Sequence, residues 1–310
     1  MICFGPIPSR RLGKSLGINN IPNQKTCSYS CVYCQVGVKQ RYSINRLAFY
    51  NPEIIVRETE SYLNKLAKEE LPDYITFVPN GEPTLDINLG KSIRLLKSFH
   101  IPIAVITNGS MMFLSDVKED LFEADWVSVK VDAAEEYLWR AVNRPKHGLI
   151  FDVIQENILQ FAHQYKGILV TETMLIKGLN DSRDSLMQTA HSVAQLFPRI
   201  AYLSVPTRPP ALSSAKPSTD ETINEAYQIF TGQHIPTELI LGFEGTHTGY
   251  TGNATHDILA MSAVHPIRQD TIKELLTKDQ ADQNVLIELL NSGQVVELEY
   301  NGNKFYLRKR

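Results

Sequence analysis

Cysteine is scarce in this chain, with four among 310 residues, too few for a disulfide-stapled scaffold or for two metal centres that each need a cysteine triplet. Long apolar runs are missing as well. None approaches the ~20 residues needed to cross a bilayer, and the opening Met1 to Pro6 has neither the charged nor the apolar region of a signal peptide. A cytoplasmic address with no membrane partner is therefore expected. Acidic residues are absent from one long stretch. Between Met1 and Pro52 there are seven Lys or Arg (Arg10, Arg11, Lys14, Lys25, Lys39, Arg41, Arg46) and no Asp or Glu, although the whole chain carries a formal net charge of −3. The length allows one large α/β domain, alone or with a small appendage.

What the chain does have is "CSYSCVYC", Cys27 to Cys34, which gathers three of the four cysteines into eight positions. In a reducing compartment such clustered thiols are read as metal ligands or redox groups. The surrounding cations favour thiolate over thiol and so favour metal binding, and they suit an anionic substrate; a solvated basic loop is the plain alternative. Four thiolates close a structural zinc site. Three leave a gap that Cys3 or a histidine has to fill, and structural zinc usually draws paired ligands from two knuckles, of which the second is missing here. A cubane iron–sulfur cluster held by three thiolates keeps one iron open to a small molecule.

The spacing Cys-x3-Cys-x2-Cys, with Tyr33 just before the third cysteine, resembles the signature of the radical S-adenosylmethionine superfamily. The resemblance implies a 4Fe-4S cluster on Cys27, Cys31 and Cys34, with S-adenosylmethionine chelating the open iron and Tyr33 packed near its adenine. It further implies that an electron from the cluster cleaves the sulfonium to methionine and a deoxyadenosyl radical, which abstracts hydrogen from a substrate.

Around the motif, strand-like segments at 16–21, 74–78, 103–107, 126–131, 168–176, 201–205 and 238–243 alternate with helical patterns at 88–98, 115–123, 134–141, 151–165, 182–196 and 218–231. A further amphipathic helix is expected from Asn51 and Pro52, with Ile55, Tyr62, Leu63 and Leu66 on its apolar face and its stop at Pro72. Regular alternation implies a parallel sheet with crossover helices, and with the resemblance it predicts an α/β fold, a partial (β/α)6 TIM-like barrel. In such folds ligands collect at the carboxyl ends of the strands.

Those ends carry the unusual residues. By resemblance, Gly81, Glu82 and Pro83 of "NGEPTL" receive the ligand's ammonium group, the family's first glycine being Asn80 here. Thr107 and Asn108 of "TNGS" resemble positions that contact the ligand's carboxylate and adenosyl portions. Lys130 and Asp132 of "VKVDA" share one strand face, and in a sheet covered on both sides they need a polar ligand to face, or else form an ion pair with each other. "GPIPSRRLGKSLGINNIP", "MLIKGLND" and "TRPPA" resemble the iron–sulfur oxidoreductases related to tRNA wyosine synthetase, but no second cysteine triplet exists for that enzyme's second cluster. Arg10, Arg11, Arg208, Glu172 and Asn180 are candidates to line a substrate pocket, with structural ion pairs or turns as the plainer roles.

The barrel is expected over residues 1–246, with a glycine-rich linker at 247–255; His247 within it and His256 just after it read as turn and cap residues. Residues 256–310 show three helical patterns and a hairpin around Asn301-Gly302, which resembles a winged helix. The helix in the recognition position carries Asp282, Gln283, Asn284 and Glu288 but no Lys or Arg, leaving only Lys304, Arg308, Lys309 and Arg310 for phosphates. The expected function is that of a radical enzyme acting on a peptide, protein or RNA, served by a flavodoxin- or ferredoxin-like electron donor. The alternative is a redox-sensing, nucleic-acid-binding regulator, but a sensor cluster needs no aminoacyl pocket.

Overall fold

The computed structural model describes residues 2–22, 24–37, 41–243 and 245–309; Lys39 and Arg310 of the cations above lie outside them. The first strand was not foreseen. β1 (Cys3–Ser9) pairs antiparallel with β2 (Gly13–Ile18), and its two prolines are tolerated because it forms the edge of the sheet. The cysteine loop follows, flanked by a short parallel pair, β3 (Thr26–Cys27) and β4 (Arg41–Tyr42). Then come β5 (Tyr74–Phe77), β6 (Ile103–Thr107), β7 (Trp126–Lys130), β8 (Ile168–Met174), β9 (Ile200–Ser204) and β10 (Thr237–Ile240). The sheet order is β1-β2-β5-β6-β7-β8-β9-β10, with every pair from β2 to β10 parallel. This curled, eight-stranded α/β sheet is consistent with a partial TIM-like barrel.

The crossovers run through α1 (Pro52–Leu63), α2 (Leu89–Leu96), α3 (Ser115–Phe122), α4 (Glu136–Asn143), α5 (Phe151–Gln164), α6 (Arg183–Gln195) and α7 (Asp220–Gly232). The sequence dictates α1 locally. The Asn51 side chain accepts from Glu53 N–H, Pro52 occupies the first turn, and Ile55, Thr59 and Tyr62 form the buried stripe. The helix ends at Leu63, well before Pro72. Tightened turns (Lys65 N–H to Tyr62 O, Leu66 N–H to Leu63 O) redirect the chain, and Glu70, itself buried, pairs with Lys278 and with the exposed His247.

The two faces of the sheet differ. Ile75, Phe77, Val105, Val127, Val129 and Leu203 join the main core with the helices. On the other face Leu12, Ala104, Trp126, Val170 and Tyr202 form a small apolar plug. Further along the strands on this same face stand Thr76, Lys130, Glu172 and Ser204. The barrel interior is therefore apolar at the strand amino ends and polar at the carboxyl ends.

The remaining chain forms α8 (Ala254–Ser262), β11 (Ile267–Arg268), α9 (Gln269–Lys278), α10 (Asn284–Asn291), β12 (Val295–Tyr300) and β13 (Asn303–Arg308), with sheet order β11-β13-β12. Asn301 and Gly302, both at positive φ, make the two-residue hairpin turn. This module shares its core with the barrel, since Phe4 of β1 is buried among Ile258, Leu275, Leu289 and Tyr306. Gly249 N–H also donates to Pro6 O at 2.6 Å. Among the described residues no helix is long and apolar enough to cross a membrane.

Candidate active site

The cysteine loop is clamped at both ends. Ser30 N–H donates to Asn143 O and Val32 N–H to Val142 O, fixing the loop to the last turn of α4. Tyr29 is buried edge-on against Trp139 and accepts its indole N–H at 3.0 Å. On the other side Gly81 lies against the β3 backbone, and Glu82 N–H donates to Thr26 O at 3.0 Å. Gly81 was expected to let a ligand approach; the close approach it permits here is that of the cysteine loop itself.

Each of the three thiols is free and meets one side-chain donor. Lys25 Nζ lies 3.1 Å from Cys34 Sγ, Asn143 Nδ2 3.4 Å from Cys31 Sγ, and Asn108 Nδ2 3.7 Å from Cys27 Sγ. Burial, with Asp132 nearby, pushes the Cys31 thiol up to about 12; burial, with Glu82 nearby, raises Cys27 as well. Deprotonating such thiols takes a bound cation. Among the described residues, no three His, Cys, Asp or Glu side chains converge closely enough to hold a single metal ion. Three free thiols in one loop, each with a side-chain N–H donor, are a donor set that could hold an iron–sulfur cluster.

Glu82 is a hub, only 2% exposed. Its Oε1 accepts from Thr84 N–H (3.2 Å), Thr84 Oγ1 (2.7 Å) and Thr107 Oγ1 (2.6 Å), while Oε2 accepts from Asn108 N–H at 2.8 Å. Burial raises its carboxyl, against the pull of these bonds. Through Asn108 the hub reaches Ser28 and Cys27. Pro83 is buried in the turn that follows and accepts from Asn20.

Lys130 and Asp132 do not pair by hydrogen bond. Register sets Lys130 beside Glu172 on the neighbouring strand, and the two are bonded at 2.9 Å. Glu172 is also bonded to Arg11 and accepts from Ser204 Oγ at 3.1 Å. Burial opposes its ionisation, but Arg11 and Lys130 more than offset this and hold its carboxyl at about 2. Asp132 follows the strand end and accepts from Tyr33 OH, Asn143 Nδ2 (2.6 Å) and Met174 N–H (2.9 Å). Lys130 Nζ sits 5.0 Å from the Tyr33 ring centre.

A cavity of about 310 Å³ opens at the carboxyl ends of the strands. Of the predicted residues Tyr33, Cys34 and Lys130 line it, together with Arg11, Glu172 and Arg208; Gly81, Glu82, Pro83, Thr107, Asn108 and Asp132 are not among its lining residues. Asn180 is a turn residue, bonded to Asp132 O and Ile176 N–H. Arg10 caps Phe243 O, and His247 and His256 take carboxylate partners. Val264 and His265 from the C-terminal module form part of the cavity wall, and Gln35 next to Cys34 reaches Val264 O at 3.4 Å. Sequence reasoning missed Lys25 and Asn143, whose only signals were a cation and an amide among many.

Comparison with known proteins agrees with this geometry. Residues 22–190 match the family model described as the Radical SAM superfamily. The chain is 44% identical over 310 residues to the UPF0026 protein MJ1312 of Methanocaldococcus jannaschii, covering 99% of this chain and 96% of that one. A UPF0026 protein of Helicobacter pylori is 35% identical over 225 residues, 72% of this chain and 71% of its own length. Among solved structures, TYW1 with a lysine-pyruvate adduct bound superposes with a TM-score of 0.54 over 72% of this chain and 75% of that one, at 16% identity, a likeness of fold.

Proposed function

The chain belongs to the Radical SAM superfamily, and on that premise we propose that it is an enzyme that reductively cleaves S-adenosylmethionine to modify a peptide, protein or RNA. The observation that carries this reading is the gathering of three free cysteines in one loop, each with its own N–H donor, with Cys34 opening onto a cavity at the strand carboxyl ends. When bound, a 4Fe-4S cluster supplies the electron and S-adenosylmethionine supplies the deoxyadenosyl radical for hydrogen abstraction.

The chain's own residues divide the work. Cys27, Cys31 and Cys34 hold the cluster. Gly81 and Pro83 fix the turn that presents Glu82, and Oε2, which accepts one of the four bonds made to this carboxylate, keeps an acceptor direction for the ligand's ammonium. Thr107 and Asn108, anchored on Glu82, hold the carboxylate and adenosyl side. Tyr33 packs beside the adenine, with Lys130 and Asp132 fixing its ring and hydroxyl.

A peptide or protein is favoured over RNA, because the amino-terminal cations are engaged internally. Arg11 binds Glu172, Lys14 reaches Glu69 O, Lys25 is buried, and Arg46 holds Asp116 and Asp120. The order of α8 to β13, with the sheet arranged β11-β13-β12, supports a winged-helix-like reading of the last module, used here as a cavity wall. A flavodoxin- or ferredoxin-like donor and a cytoplasmic setting complete the proposal. Anaerobic reconstitution with iron and sulfide, reduction, and assay for deoxyadenosine with protein and RNA fractions test it. Loaded enzyme that forms no deoxyadenosine under any reductant would defeat it.

A further inference from the structure

Lys25 is among the largest fully buried side chains of the protein, 2% exposed. Burying an ammonium is costly unless it is paired. The partners recorded for it are not carboxylates. They are the Gly37 carbonyl at 2.5 Å and Cys34 Sγ at 3.1 Å. As a neutral thiol Cys34 is a poor acceptor; as a metal-bound thiolate it is a strong one. The other two thiols meet neutral amides at longer range, Asn143 at 3.4 Å and Asn108 at 3.7 Å. Cys34 also lines the cavity, whereas Lys25 does not. The one cation of the set is thus held on the covered side of the thiol that faces the ligand space.

From this arrangement we infer that Lys25 is a positioning residue that sets the reduction potential of the cluster through Cys34. The inference rests on the reading that Cys27, Cys31 and Cys34 hold an iron–sulfur cluster. Reduction takes one electron from an external low-potential donor and adds one negative charge to the cluster and its thiolates, with no bond broken. A fixed positive charge beside one sulfur, in a site shielded from water, favours the reduced form, as hydrogen bonds to cluster sulfurs do more weakly. Asn108 and Asn143 supply the weaker kind, and Lys25 supplies the charge.

The test is an anaerobic, mediator-coupled titration of the reconstituted protein, followed by the visible spectrum and by electron paramagnetic resonance of the reduced cluster. Iron and sulfide content are measured first. Lys25→Met should load a cluster as wild type does, yet its midpoint should fall so that, at a fixed poise, the reduced-to-oxidised ratio drops at least tenfold, ~59 mV for one electron. Lys25→Arg should recover at least half of that shift, and Asn108→Ala should move the midpoint less than Lys25→Met does. Should Lys25→Met not fold, Lys25→Gln, which keeps a donor but no charge, takes its place and should shift in the same direction. A loaded charge-free variant with an unchanged midpoint overturns the inference, as does one that folds but takes up no cluster, since Lys25 would then only prop the loop. Wild type that takes up no cluster defeats the parent reading instead, and iron content separates the two failures.

Discussion

Gly81 and Thr26 are in backbone contact: a Cβ added at residue 81 would stand 1.9 Å from the Thr26 carbonyl oxygen. That oxygen also accepts the N–H of Glu82, so the turn carrying Glu82 and the strand carrying Cys27 are fixed to each other through a single peptide group. Gly81→Ala should therefore separate the cysteine loop from the Glu82 hub. The expected cost is about 1–3 kcal/mol of stability, as for overpacking elsewhere, with weakened cluster loading. Denaturant unfolding of the apo-protein and iron analysis after reconstitution check this. An alanine variant that is as stable as wild type and loads fully would show that the contact is not a constraint.

Replacing Cys27, Cys31 or Cys34 by alanine should abolish the visible absorbance of the reconstituted cluster, whereas Cys3→Ala should not. Cys3 is buried beside Thr59 and away from the loop, with its thiol pushed up to about 12 by burial. Stoichiometric zinc in anaerobically prepared protein that refuses iron and sulfide would end the cluster reading.

The strands and the cysteine triplet were legible because both are local signals. β6 runs from Ile103 to Thr107 as its apolar run predicts, and the Asn301-Gly302 hairpin sits where its turn residues require. What escaped the sequence was long-range. The Gly and Pro residues of β1 disguise an edge strand, and α1 stops early for the sake of contacts made by Glu70 nearly two hundred residues away in sequence. For Lys130 the alternative to a ligand was an ion pair with Asp132, two residues on, whereas its bonded partner, Glu172, comes from the next strand. Only the sheet register reveals that pairing.

Glu82→Gln should act on both stability and ligand affinity. An amide nitrogen must now face either the two threonine hydroxyls or the Asn108 N–H, all of which donate to the native carboxylate. Loss of a charge-assisted bond is worth roughly 1.5–3 kcal/mol, so S-adenosylmethionine should bind about one to two orders of magnitude more weakly. Calorimetric titration of the loaded protein measures it. Unchanged affinity removes Glu82 from the ligand site and leaves it a purely structural hub.

Glu172 should make the apo-protein acid-sensitive. Its folded carboxyl lies at about 2, below its ordinary value of 4.5, so its contribution is complete above pH 4.5 and is lost as pH falls toward 2. At 1.36 kcal/mol per tenfold change that contribution is about 3 kcal/mol. Glu172→Gln, which strands Arg11 and Lys130, should be less stable than wild type at pH 7, and the gap between the two should narrow over that window. Urea unfolding of both proteins from pH 7 to pH 2.5 measures the gap. A constant difference would mean that Glu172 is not held ionised by its two cations.

The last module gives the sharpest test of what the enzyme acts on. Removing residues 255–310 would strip α8 from β1, expose Phe4, and take Val264 and His265 out of the cavity wall. The truncated barrel should therefore unfold at lower temperature and lose both ligand retention and deoxyadenosine formation, rather than behave as an independent catalytic unit. Nucleic-acid binding should contribute little. α10 carries no Lys or Arg, Lys304 is paired with Glu297 at 2.8 Å, and most amino-terminal cations are tied within the barrel. With these cations engaged there is less counterion release to drive binding to phosphates. The intact chain should show weak RNA affinity at physiological salt, with a shallow dependence on salt concentration, measured by filter binding across a salt series. Tight binding of one RNA class, with a steep salt slope that disappears when Arg308 and Lys309 are neutralised, would establish RNA as the substrate in place of peptide or protein.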